Sequence, residues 1–189
     1  MKKIKVYAYT KQNLGDDLFI KILCERYPNT QFVLYAPDVY KDIFKDNKNL
    51  EICSSEAKLN RVINFIARKF GVNNYVDRKL VESSDGGVYI GGSLFIQGEN
   101  WREYTENYIK QMKGEDKPFY LLGVNFGPFN NEEYYLEHKK IFKEYTDICF
   151  REKYSYEMFK DLNNTHKADD IVLLDKYKKK FHIKRDKKS

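Results

Sequence analysis

Two spacings of apolar residues alternate along the chain. Short β-rich runs occupy residues 4–9, 31–35, 50–53, 87–90, 119–124, 148–150 and 171–174. Between them apolar side chains recur every three or four residues, the period of a helix with one buried face. One such set is Leu18, Phe19, Ile22, Leu23 and Tyr27; another is Trp101, Tyr104, Tyr108, Ile109 and Met112. Tyr134, Tyr135, His138, Ile141, Phe142 and Tyr145 mark a third, and Met158, Phe159 and Leu162 a fourth. A short polar helix is predicted near 38–46. Residues 56–70 predict a basic amphipathic helix with Leu59, Val62, Ile63, Ile66 and Phe70 on one side. The run 119–124 is continuously apolar, which predicts a strand buried on both faces. Strands alternating with helices predict an α/β fold: a Rossmann-like, doubly wound, mostly parallel sheet with right-handed crossovers; if its strand order is 3-2-1-4-5-6, the turns after strands 1 and 4 face each other across the switch point.

Composition narrows the function classes. The chain has 189 residues, 42% of them apolar and 16% aromatic, enough for one domain with a sizeable core and unlike a disordered chain. No apolar run approaches the roughly 18 residues that span a bilayer, and the start, Met1-Lys2-Lys3-Ile4, has no signal-peptide core. Cys24, Cys53 and Cys149 are scattered without a CxxC pair, so neither a disulfide framework nor a zinc site is expected. The net charge of +6 is concentrated at one end. Residues 176–189 hold eight Lys/Arg and one Asp, leaving the first 175 residues at −1. A neutral body argues against nucleic acid as partner, and a block of like charge reads as a solvated linker or tail.

In parallel α/β sheets, ligands bind beyond the carboxyl ends of the strands, where strand order reverses. Four unusual segments fall there. Asn13-Leu14-Gly15-Asp16-Asp17 puts a glycine and two acids at a helix start. Either the acids cap the helix, or one faces the crevice to orient or deprotonate a sugar hydroxyl. Gly91-Gly92-Ser93-Leu94-Phe95 is no dinucleotide fingerprint; it is a tight turn or a backbone platform for phosphate or sugar, which Gln97, Glu99 and Asn100 could extend. Asn125 lies in the turn Gly123 to Pro128. Arg151 follows an apolar strand directly; it either clamps an anion or pairs with Glu152. His138, His166 and His182 are too dispersed to assemble a triad or a metal cluster, and Trp101 reads as core.

These four segments, with Phe150-Arg151-Glu152 and Ser155 four residues after the arginine, resemble the polysaccharide pyruvyl transferase family. Ala168-Asp169-Asp170 resembles the family's Ala-Asp-Pro step, with Asp170 in place of proline. The resemblance implies a GT-B-like architecture of two Rossmann-like domains, of which residues 1–175 would be the N-terminal half and 176–189 a basic linker or tail. It implies transfer of a pyruvyl group from phosphoenolpyruvate to a sugar of a surface polysaccharide or its lipid-linked precursor, without cofactor or metal. Asp16 would be the catalytic base or positioner. Asn13, Gly15, Gly91, Gly92, Ser93, Asn125, Arg151, Glu152 and Ser155 would bind substrate. The family's donor site draws on a second domain, so this half alone is expected to be inactive. A cytoplasmic location is implied, with peripheral contact to anionic membrane through the 56–70 helix; that helix reads equally as cover for the sheet. The alternatives from other classes are a non-catalytic sugar- or nucleotide-binding module and half of a GT-B glycosyltransferase.

Overall fold

The structure, a computed structural model, describes residues 1–169. The strand expected at 171–174, Asp170 and the basic tail lie outside the described residues.

Seven parallel strands make one sheet. They are β1 (Lys3–Tyr7), β2 (Gln31–Ala36), β3 (Leu50–Ser54), β4 (Gly86–Ile90), β5 (Phe119–Val124), β6 (Asp147–Phe150) and β7 (Thr165–Lys167), in the order β3-β2-β1-β4-β5-β6-β7. The first six strands follow the order 3-2-1-4-5-6, and a seventh is added at the edge. Because side chains alternate along a strand, β1 and β4 feed two separate cores. Val6, Val88 and Ile90 meet Phe19, Ile20 and Leu23 of α1 (Leu14–Arg26) on one face. Tyr7 and Tyr89 join Phe126, Phe142 and Phe159 on the other, an aromatic core built largely from α7 (Glu132–Lys143), α8 (Lys153–Phe159) and the loop after β5. Trp101 is buried with its ring edge-on to Tyr134, as core and not as a stacking platform.

Four elements differ from the sequence expectation. β5 is covered less evenly than its apolar run implies: Phe119, Leu121 and Val124 are buried, while Tyr120 and Leu122 are half-buried beside a groove of about 380 Å³. The helical run 101–112 is interrupted by a π-helical turn at Thr105–Ile109, between α5 (Trp101–Tyr104) and α6 (Lys110–Met112). β7 is polar, and an edge strand needs no apolar run; Thr165 instead gives its hydroxyl to the carbonyls of Phe159 and Leu162.

The fourth difference is an unpredicted helix, α4 (Tyr75–Glu82), which starts from Asn74 in a left-handed conformation at φ 51°. It follows the short α2 (Val39–Ile43) and the predicted basic helix, here α3 (Lys58–Lys69). α4 supplies Asp77, whose carboxylate lies 2.8 Å from the ammonium of Lys5 on β1. Lys5 is only 2% exposed; its Nζ also donates to the Val6 carbonyl at 3.2 Å and sits 4.3 Å from the Tyr7 ring centre. Burial lowers its pKa, and Asp77 opposes that shift.

Candidate functional site

The carboxyl ends of β1, β4, β5 and β6 open on one crevice of about 390 Å³ at the β1–β4 reversal. Its walls include Tyr9, Asn13, Asp16, Gly92, Ser93 and Arg151.

Asn13 is the N-cap of α1: its backbone is extended and its side-chain oxygen accepts from the Gly15 N–H at 3.0 Å. This is the usual role of a short polar residue at that position. The cap therefore falls on Asn13, not on the two acids. Asp16 is left to turn toward the β4 turn, where a Cβ added to Gly91 would stand 3.1 Å from its Oδ1. Asp17 turns the other way, toward Tyr40 of α2. The Tyr40 hydroxyl accepts from the Gln12 N–H at 2.8 Å, which ties α2 to the loop entering the site.

The β4 turn is shaped by close approach. Gly91 has φ 139°, a region that side chains rarely adopt. A Cβ on Gly92 would collide with the guanidinium of Arg151, so only hydrogen fits there. The Gly92 carbonyl accepts from the N–H of Asn125 at 2.8 Å and of Leu94 at 3.0 Å, tying the β4 and β5 turns together. Asn125 in turn accepts from Arg151 Nε at 2.9 Å and fixes the plane of the guanidinium. Ser93 is exposed at the mouth.

Two predicted ligand residues have other duties. Ser155 is fully buried; its hydroxyl accepts from the Phe126 N–H at 2.8 Å and donates to Glu152 Oε1 at 2.7 Å. In this geometry Ser155 holds the β5 loop, and the Glu152 carboxylate accepts from it. Gln97 likewise braces the loop, accepting from the N–H groups of Asn130 and Asn131 at 2.9 and 3.1 Å. Leu94, within the Gly91–Phe95 segment, also lines the wall, together with two residues outside the four segments, Tyr9 and Phe19. Phe19 was assigned to the core, and it is buried there, but its ring also closes the floor against Gly123. Tyr9 is half exposed, two residues past the end of β1. A large aromatic beyond the last paired residue of a strand is the signal that would have marked it.

Electrostatically, the crevice pairs an acid with a cation. Burial, then the neighbouring Asp17, push the Asp16 carboxyl above its ordinary range, while Arg151 pulls it back. Such a carboxylate is a better base than an exposed one. A guanidinium held flat on a glycine backbone can take a carboxylate or phosphate. A family model described as polysaccharide pyruvyl transferase matches residues 13–188. The chain belongs to the polysaccharide pyruvyl transferase family. No curated protein and no solved structure gave a significant match. The span matched by the pyruvyl transferase model takes in all four strand-end segments, from the Asn13 cap to Ser155. Among the described residues, no helix is long and apolar enough to cross a membrane.

Proposed function

We propose that this pyruvyl transferase family member moves the pyruvyl group of phosphoenolpyruvate onto a sugar of a surface polysaccharide or its lipid-linked precursor. The supporting observation is that Arg151 and Asp16 reach one crevice from opposite sides of the Gly91–Gly92 turn. Phosphoenolpyruvate carries a carboxylate and a phosphate, and Arg151 is placed to hold one of them, with Asn125 fixing its orientation. A sugar hydroxyl adds to the enol-phosphate carbon as the methylene takes a proton. A second hydroxyl then displaces inorganic phosphate and closes the cyclic ketal. Asp16 accepts the hydroxyl proton, and Ser93 and the exposed polar rim orient the sugar. The described sheet serves as one half of a GT-B-like pair, with the donor's remaining contacts and the carbon acid supplied from a facing domain. Phosphoenolpyruvate and sugar precursors place the reaction in the cytoplasm. The test is phosphate release from phosphoenolpyruvate together with acid-labile pyruvate on the sugar, measured over a panel of acceptors with the facing domain supplied. Phosphate release that tracks ketal formation supports this reading; consumption of a nucleotide-sugar instead overturns it.

The raised pKa of Asp16 has a stability consequence with a definite sign. A carboxyl whose folded pKa lies above its unfolded value binds protons more tightly in the folded state, so stability falls as pH rises through that window. Asp16→Asn should therefore melt higher than the parent at neutral pH. The gain should shrink as pH drops below the ordinary carboxylate range. With the facing domain supplied, transferase activity should fall in the same variant. Equal melting temperatures at every pH would show that Asp16 carries no such strain.

A further inference from the structure

α3 is mounted inside out. Its apolar residues repeat at helical spacing, the pattern that usually buries a face. Yet no residue of α3 is buried. Leu59 is 70% exposed, Phe70 just past its end 81%, and Val62, Phe65 and Ile66 about half. The side turned to the protein mixes Ile63 and Ala67 with Asn60 and Asn64, all half-buried, and the asparagines make its hydrogen bonds. Asn60 donates to the Ser54 carbonyl at 2.7 Å, and Asn64 donates to the Tyr35 hydroxyl at 3.1 Å while accepting from the Val76 N–H at 3.0 Å. Asparagine hydrogen bonds thus hold the helix to the body and leave the apolar side in solvent. The expectation that this side covers the sheet is overturned.

Cations rim the exposed side. Lys58, Arg61, Arg68 and Lys69 all lie on α3, which contains no acid, and among the described residues none of the four makes an ion pair. Lys69 lies over the Phe65 ring at 4.8 Å, its stem along apolar surface and its charge outward. We propose that α3 is a membrane-docking helix that lies in the plane of an anionic lipid surface. Apolar side chains flanked by unpaired cations fit the boundary between headgroups and acyl chains. The competing occupants fit less well. A second copy would set four cations against four. The chain's own 176–189 tail is itself basic. α3 follows the outermost strand β3 and is bonded to its end through Asn60, at one edge of the sheet.

Vesicle flotation with the full chain tests this. Wild type should float with phosphatidylglycerol/phosphatidylcholine vesicles, not with phosphatidylcholine alone, and should release as salt rises. Replacing Leu59, Ile66 and Phe70 by Ser should weaken partition by about tenfold or more without lowering the melting temperature, since these side chains are in solvent. Replacing Arg61, Arg68 and Lys69 by Gln should weaken it comparably. As an independent readout, Phe65→Trp should shift its emission to the blue on adding anionic vesicles, whereas Trp101, the chain's single tryptophan, is buried and should not respond. Absence of flotation at low salt overturns the proposal. Wild-type flotation by the serine variant does too, and points to the tail. So does a dimer that the serine variant disperses, which would identify a second copy as the occupant.

Discussion

Asp77→Ala should lower the stability of the domain by about 3–5 kcal/mol, because removing one partner of a buried ion pair strands the other charge. The Lys5 ammonium is almost completely enclosed between β1, the Tyr7 ring and α4, and Asp77 is the carboxylate at 2.8 Å from it. For a domain of this size that loss corresponds to a drop of roughly 6–20 °C in melting temperature. The pair itself need not be strongly favourable. Its desolvation cost is high, so the double variant Lys5→Met, Asp77→Leu should recover most of the loss. Thermal unfolding of both variants decides it: a single variant that melts like the parent would mean that the Lys5 charge is lost or rehydrated without penalty.

Gly92→Ala should disarm the site while leaving the fold intact. The methyl group would occupy the place of the Arg151 guanidinium, the far end of a flexible side chain that can swing away. The Gly92 backbone does not adopt a positive φ, so alanine adds no backbone strain there. Displacing Arg151 breaks its bond from Nε to Asn125 and removes the cation from the crevice wall. A charge-assisted contact of this kind is worth roughly 1.5–3 kcal/mol, about ten- to a hundredfold in anion affinity. Melting temperature and phosphoenolpyruvate affinity, measured on the same preparation, separate the two effects. A large fall in melting temperature with unchanged affinity would show that the turn serves stability alone.

Much of this architecture was legible in the sequence because the central strands are apolar and the helices between them periodic. Handedness limits such a chain to a doubly wound sheet, and the strand order 3-2-1-4-5-6 brings the Asn13, Gly92 and Arg151 turns to one crevice. What escaped has physical reasons. β7 is a polar edge strand, with no apolar run to announce it. α4 begins at a left-handed asparagine and buries only Val76 and Val81, too short an apolar pattern to announce a helix, while its Asp77 pairs with a lysine distant in sequence. Ser155 carried the right spacing for a ligand, but spacing cannot distinguish a hydroxyl that faces a crevice from one that holds a loop. Periodicity found the apolar side of α3 and could not say which way it turns. The answer lies in the hydrogen bonds of Asn60 and Asn64 to β2, β3 and α4, which no apolar spacing records.

The central claim is that Arg151 binds the anionic donor of the pyruvyl group. Its most direct test is a phosphorus NMR titration of phosphoenolpyruvate with the wild-type chain and with Arg151→Ala, with melting temperatures recorded in parallel. Line broadening detects weak binding as well as tight. Saturable binding by wild type, weakened about ten- to a hundredfold in the variant with the melting temperature unchanged, is the predicted result. Equal affinity in the two proteins, or a variant whose melting temperature collapses while its affinity holds, would contradict it.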